Sequence, residues 1–154
     1  MKIEDLRIGN LVSVNNKQFH PNLKGAILRV TGLNERSSNG VIETSVNLEC
    51  ERETYSQFIE YIEPIPLTEH LLVDNGFEKS SHYNAYMHYD LEVIIKANDG
   101  KGYWKLDHFS KIHDGKLYLT SEAEYTVSER PIEYIHQLQN IFFILSGKEI
   151  DIKL

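Results

Sequence analysis

One cysteine, Cys50, in 154 residues excludes an intramolecular disulfide framework. No apolar run approaches the roughly 18 residues of a membrane-spanning helix. The opening MKIEDLRIGN carries acids where a secretory leader needs an apolar stretch. These absences predict a soluble, cytoplasmic protein that folds without covalent staples. Blocks of basic charge are missing too: lysines and arginines stand scattered between acids, and 23 acidic against 16 basic side chains give a formal net charge of -7. Such a field repels phosphate, which disfavours non-specific nucleic-acid binding.

Catalytic and metal signatures are equally scarce. Of the seven histidines, His82 and His88 share a strand face but lie roughly 20 Å apart, too far for one ion. His108, His113 and Asp114 flank a hairpin and could meet Asp107 or Asp90, yet their spacing matches no common zinc pattern, and no metal or cofactor is expected. Cys50 ends an apolar strand face with nothing nearby to activate a thiolate. Gly100-Lys101-Gly102 reads as a hairpin turn, since P-loop and dinucleotide-binding spacings are absent. Carboxylates are plentiful, but no pair has a context that would push two pKa values apart. The alternating aromatics Tyr83, Tyr86, Tyr89, Tyr103 and Trp104 could line a stacking face, although alternation alone makes half of them core or cross-strand pairs.

What is present is a two-part pattern. The first 65 residues are β-rich: Leu11 to Val14, Ala26 to Leu33, and VIETSVNLEC, whose Ile42, Thr44, Val46, Leu48 and Cys50 alternate with polar residues. A further strand is expected over Phe58 to Ile62. Turn signals at Asn15-Asn16, Pro21 to Gly25 and Ser37 to Gly40 separate the runs. Several short strands in so few residues predict a small SH3-like barrel over residues 1–65. EPIPLT follows, and its two prolines make a stiff connector at the domain boundary.

Residues 66–154 then predict an α-β-β-β-β-α domain with an antiparallel sheet, giving an α+β chain overall. Thr68 is placed to cap a helix over Glu69 to Asn75, Leu67 and Leu72 to staple it, and Gly76 to end it. Tyr83 to Tyr89, Leu91 to Ala97, Tyr103 to Phe109 and Lys116 to Thr120 form the expected meander, with turns at NDGKG and Asp114-Gly115.

The last helix is expected to begin near Ser128 or Arg130, with Pro131 in its first turn, and to end at Gly147. Its stripe of Tyr134, Ile135, Leu138, Ile141, Phe142 and Leu145 suffices to cover a sheet. Phe143 and Ile144 point to the opposite side, with His136, Gln137, Gln139 and Asn140. A helix apolar on two sides needs a second neighbour: another part of the chain, or a partner.

LRIGNLV (Leu6 to Val12), IEPIPLTEHLLVDNGFEKS (Ile62 to Ser80) and YIHQLQNIFFILSGKEI (Tyr134 to Ile150) together resemble a family of small uncharacterised proteins of Bacteroidetes genomes, prophages and related phages. The order and spacing of the three segments agree over most of the chain, with departures at His70 and at Val73-Asp74. The resemblance implies a phage-linked or mobile-element context and carries over no activity and no site residue.

The resulting expectation is a non-enzymatic protein-binding or assembly protein that contacts a protein partner or a second copy through His136, Gln139, Asn140, Phe143 and Ile144. The alternative is a small-molecule or nucleotide-binding protein that interferes with host signalling, with Tyr86, Trp104 and His108 lining a cleft between the two halves.

Overall fold

The computed structural model describes residues 1–15, 23, 25–51, 53–81, 85–88, 93–97, 104–109, 112–113, 116–117 and 132–153, with backbone alone at 93–94, 96–97, 104–109, 112–113, 116–117 and 145. The chain divides into two compact units. The first comprises Met1–Pro66 and Tyr134–Ile150, the second Leu67–Glu133 and Asp151–Leu154. The boundary inside EPIPLT thus falls between Pro66 and Leu67. The C-terminal helix, expected in the second domain, belongs to the first unit, which is therefore discontinuous in sequence.

In the first unit β1 (Leu11–Val14), β2 (Ile27–Ser38), β3 (Val41–Cys50), β4 (Glu53–Phe58) and β5 (Ile62–Glu63) form one antiparallel sheet in the order β4-β3-β2-β1-β5. β4 and β5 occupy opposite edges, yet only the one-turn 3-10 helix Ile59–Tyr61 joins them. Three residues at about 2 Å rise each cannot bridge a flat five-stranded sheet, so the sheet is curled into a half-barrel. Leu6, Val12, Val14, Leu23, Leu28, Val30, Val46, Leu48 and Ile62 fill its concave side, with Cys50 and Tyr55 packed against them. Cys50 thus serves as a small apolar residue at the core's margin.

The strand expected over Phe58 to Ile62 is instead the end of β4, the 3-10 turn and the start of β5. β4 itself, ETYSQF, is too polar to announce a strand. It is held by its pairing with β3, which opposes Leu48 to Tyr55 and Val46 to Gln57. β2 and β3 are joined at Asn39 and Gly40, both at positive φ, as a two-residue hairpin turn requires. A register shift between Val30 and Gly32 marks where this ribbon leaves the core: beyond Leu33 every β2 residue is exposed, and so are Val41 to Glu43.

In the second unit α1 (Glu69–Asp74) begins where the capping signals place it. Thr68 Oγ1 accepts from Leu71 N at 3.3 Å. Phe77 N donates to Leu72 O at 3.0 Å and Gly76 N to Val73 O at 3.1 Å, the pair of bonds that closes a helix through a left-handed glycine. Leu72 and Phe77 are both buried. β6 (Glu78–Lys79), β7 (Ala85–His88), β8 (Val93–Ala97) and β9 (Trp104–Phe109) form a four-stranded antiparallel sheet in chain order. Its first strand follows directly from α1 and was not expected. The strand expected from Lys116 starts as β11 (Lys116–Leu117) and pairs with β10 (Ile112–His113) in a separate two-stranded sheet. The Asp114-Gly115 turn between them and the Thr120 to Ser128 loop lie outside the described residues.

The C-terminal helix, α2, spans Ile135–Ser146 and starts later than the sequence suggests. Backbone pairing delays it. Ile135 N donates to Ile65 O at 2.9 Å and Pro66 bridges Tyr134, which holds Tyr134 extended at φ -133. Gln137 Oε1 accepts from Tyr134 N at 3.1 Å and caps the first turn. Gly147, left-handed at φ 68, ends the helix as expected.

Gly76 is held to glycine by its backbone and by its neighbour. At φ +83 a side chain is strained, and a Cβ would lie 3.3 Å from His88 Nε2. Gly76→Ala is expected to destabilise the protein by about 1–2 kcal/mol in urea unfolding.

Candidate functional site

The residues singled out on α2 do not share one environment. His136 and Gln139, expected on its outer side, are 2% and 0% exposed, alongside the apolar Ile135, Leu138 and Phe142. The buried face is therefore rotated toward the polar residues, and a buried amide must be satisfied from within.

The partner of these amides is the LRIGN segment. Gln139 Oε1 accepts from Leu11 N at 2.8 Å, and its Nε2 donates to Gly9 O at 3.3 Å. Asn140 Oδ1 accepts from Asn10 Nδ2 at 2.8 Å and Arg7 Nε at 3.3 Å, while its Nδ2 donates to Asp5 O at 3.0 Å. Asn10, fully buried, also folds the segment on itself, its Oδ1 accepting from Arg7 N at 2.7 Å. The opposite flank of the loop is held by β2, through Gly9 N to Val30 O and Val30 N to Asn10 O, both 2.8 Å. The loop backbone is thus read by two neighbours.

Arg7 continues the network outward. Its guanidinium grips Glu149 through both terminal nitrogens and lies with Cζ 4.0 Å from the centroid of the Phe143 ring. The Arg7 guanidinium holds the Glu149 carboxyl below its ordinary range. Gly9 is required beneath this pair: its φ is +95, and a Cβ there would meet Glu149 Oε2 at 3.0 Å.

Once the amides are engaged, two apolar side chains among those described remain at the surface of α2, Phe143 at 38% and Ile144 at 78% exposure. Ile8, beside Arg7, is exposed as well. Arg7, Gly9, Asn10 and Glu149 were missed as site residues by sequence reasoning. The available signal was the three amides on one short helix, Gln137, Gln139 and Asn140, in YIHQLQN.

His136 stacks on Tyr134 at 5.8 Å between ring centroids and 12° between planes, and its Nδ1 finds no hydrogen-bond partner. It lines a small cavity of about 190 Å³ with Met1, Asp5, Pro64, Tyr134 and Gln137. Burial pushes the imidazole's pKa down, against a weaker upward pull from the Asp5 carboxylate. The arrangement favours a neutral ring.

Of the residues named for a small-molecule site, Tyr86 is 1% exposed, with Lys79 Nζ 5.6 Å from its ring centroid. Burial and then the Glu69 carboxylate raise its hydroxyl pKa, while Lys79 lowers it. Lys79 and Glu69 themselves pair at 2.8 Å. Tyr86 therefore joins a polar cluster on β6, β7 and α1 whose Lys79 and Glu69 reach solvent. Trp104 and His108 stand on β9, and their side chains lie outside the described residues, as do those of Asp107 and His113 and the whole of His82, Asp90 and Asp114. Among the described residues no three His, Cys, Asp or Glu side chains gather as a metal site would require, and no helix is long and apolar enough to cross a membrane.

No protein-family model, curated protein or solved structure matches the chain.

Two predictions follow from this network. Gln139→Leu keeps the volume but leaves Leu11 N without its side-chain partner and Gly9 O with Arg29 alone, and a loss of about 1–3 kcal/mol is expected in denaturant unfolding. His136 gives a pH dependence. Its folded pKa lies below the ordinary value of about 6.5, so the unfolded chain takes up the proton first and stability falls as pH drops through that value. Thermal melts between pH 8 and pH 5 should show this slope in the native protein and a flatter one in His136→Phe.

Proposed function

We propose that the protein is a non-enzymatic protein-binding or assembly module, of phage or mobile-element origin and acting in the host cytoplasm. We further read its first unit as an SH3-like barrel, a reading supported by the strand order β4-β3-β2-β1-β5 with a single 3-10 turn between β4 and β5. The phage context is supported by the three segments that carry the family resemblance.

The observation that carries the binding role is the surface of α2. Phe143 and Ile144 stay exposed on a helix whose position is fixed by buried amides and a bidentate ion pair. An aromatic anchor on a pre-set support binds without the ordering cost of a mobile one. Arg7 and Glu149 beside it offer the polar rim of such a contact. In this reading Phe143 and Ile144 enter the partner, whereas His136, Gln139 and Asn140 act indirectly by holding the helix in place.

Phe143→Asp tests it. The folded chain should survive, with near-ultraviolet circular dichroism unchanged, while association weakens about thirtyfold or more, the effect of losing a contact of about 2 kcal/mol. Light scattering over a dilution series reads the case in which the partner is a second copy. For a different partner, the readout is a protein retained by the native chain and lost with the variant. Unfolding of Phe143→Asp would make Phe143 a core residue and end the reading.

A further inference from the structure

The outer half of β3 has one neighbour where its inner half has two. β2 pairs with β3 from Arg29↔Glu49 to Ser38↔Val41, but β4 pairs with it only from Cys50↔Glu53 to Ser45↔Phe58. At Phe58 the chain turns into the 3-10 helix Ile59–Tyr61. Among the described residues, nothing pairs with Val41 to Thr44 on the side away from β2. That open edge, about 13 Å long at the usual strand rise, borders a groove of about 310 Å³ lined by Ile42, Glu43, Thr44, Phe58, Ile59 and Glu60.

Open edges are ordinarily blocked by lysine, proline, a bulge or a covering element. Val41 to Thr44 hold no lysine, proline or bulge, and among the described residues no strand pairs with their free side; their one charge is Glu43. They present apolar surface instead: Ile42 is 70% exposed, and Val41 and Phe58 stand clear as well. The charge lining the groove is acidic, from Glu43 and Glu60, both exposed. Arg36 faces Glu43, but from the β2 side. Ile42 and Glu43, as strand neighbours, point to opposite faces, and Val41 and Phe58, the latter through its pairing with Ser45, share the face of Glu43, so an added strand would meet Ile42 on one face and a carboxylate flanked by apolar surface on the other.

We propose that this edge takes up an extended segment of a partner protein in which apolar residues alternate with lysine or arginine. The segment's backbone pairs with Val41 to Thr44 as an added strand, its apolar side chains cover Ile42, and its basic side chains meet Glu43 and Glu60. Charge argues against a second copy as the occupant. Two-fold pairing of the edge with itself would crowd both pairs of carboxylates into one groove, between chains that each carry a net charge of -7. The site is separate from the α2 surface, and either can fail without the other.

The test is titration of the full chain with a synthetic peptide of alternating lysine and valine, about eight residues long, followed by calorimetry. Saturable binding is expected. Methylating every backbone nitrogen of the peptide should weaken it by about tenfold or more, because the added strand loses its donors. Glu43→Lys combined with Glu60→Lys, both at exposed positions, should leave the chain folded, at the small cost of a lysine opposite Arg36, and transfer the preference to a glutamate–valine peptide. Failure of the native chain to bind the lysine–valine peptide up to millimolar concentration overturns the proposal. So does equal binding of the methylated peptide, or of the lysine–valine peptide to the double variant. Dimerisation of the native chain that Ile42→Asp abolishes would give the edge to a second copy and overturn it as well.

Discussion

The amide of Gln139 is the contact on which the arrangement of the first unit depends. It bonds to both sides of the same short backbone segment, accepting from Leu11 N and donating to Gly9 O, at a position fully removed from water. Apolar packing of Ile135, Leu138 and Phe142 brings α2 to the sheet, but such contacts tolerate sliding and small rotations. A buried amide does not, because a shift of one residue would leave Leu11 N and the Gln139 side chain without partners. Asn140 and Arg7 extend the same logic outward until, at Glu149, the network reaches solvent. The burial of His136 and the orientation of Phe143 both follow from a helix pinned this way.

The same contact sets a constraint on folding. Gln139 and Leu11 are 128 residues apart in sequence, and the whole of Leu67–Glu133 intervenes as a second unit. The sheet β1 to β5 can pair locally through its hairpins, but the loop before β1 finds its side-chain partners only when the end of the chain arrives. Long-range closure of this kind is entropically slow, and it places completion of the first unit after synthesis of Leu67–Glu133.

Elements set by nearby residues were legible in the sequence, and elements set by distant ones were not. The Asn39-Gly40 turn, the alternation of Val46 and Leu48, the Thr68 cap, the Gly76 stop and the end of α2 at Gly147 each depend on a few neighbouring residues. β4 was invisible because ETYSQF gains strand character only from its pairing with β3. The first turn of α2 was misplaced because its alternative, pairing with Ile65 and Pro66, lies about 70 residues away. The site divides in the same manner. Periodicity set Phe143 and Ile144 apart from the core stripe, and both are exposed. It could not distinguish an amide facing water from one facing a backbone loop, because the two have the same sequence spacing and opposite meanings.

Two sets of polar groups in the first unit therefore have different consequences. Those of Asn10, Gln139 and Asn140 are saturated by one another and by backbone, which makes them determinants of structure and leaves them little capacity to bind anything else. The backbone of Val41 to Thr44 is saturated on one side only. An unpaired edge in a unit whose helix and loop are tied by hydrogen bonds from Gln139, Asn140 and Asn10 is not explained by a general looseness of the fold. Nor does its apolar surface expose the chain to indiscriminate self-pairing, since Glu43 and Glu60 sit where an identical edge would have to approach. Carboxylates there do what lysine does on other edges: they repel a copy of themselves, and they differ in the sign of the partner they admit.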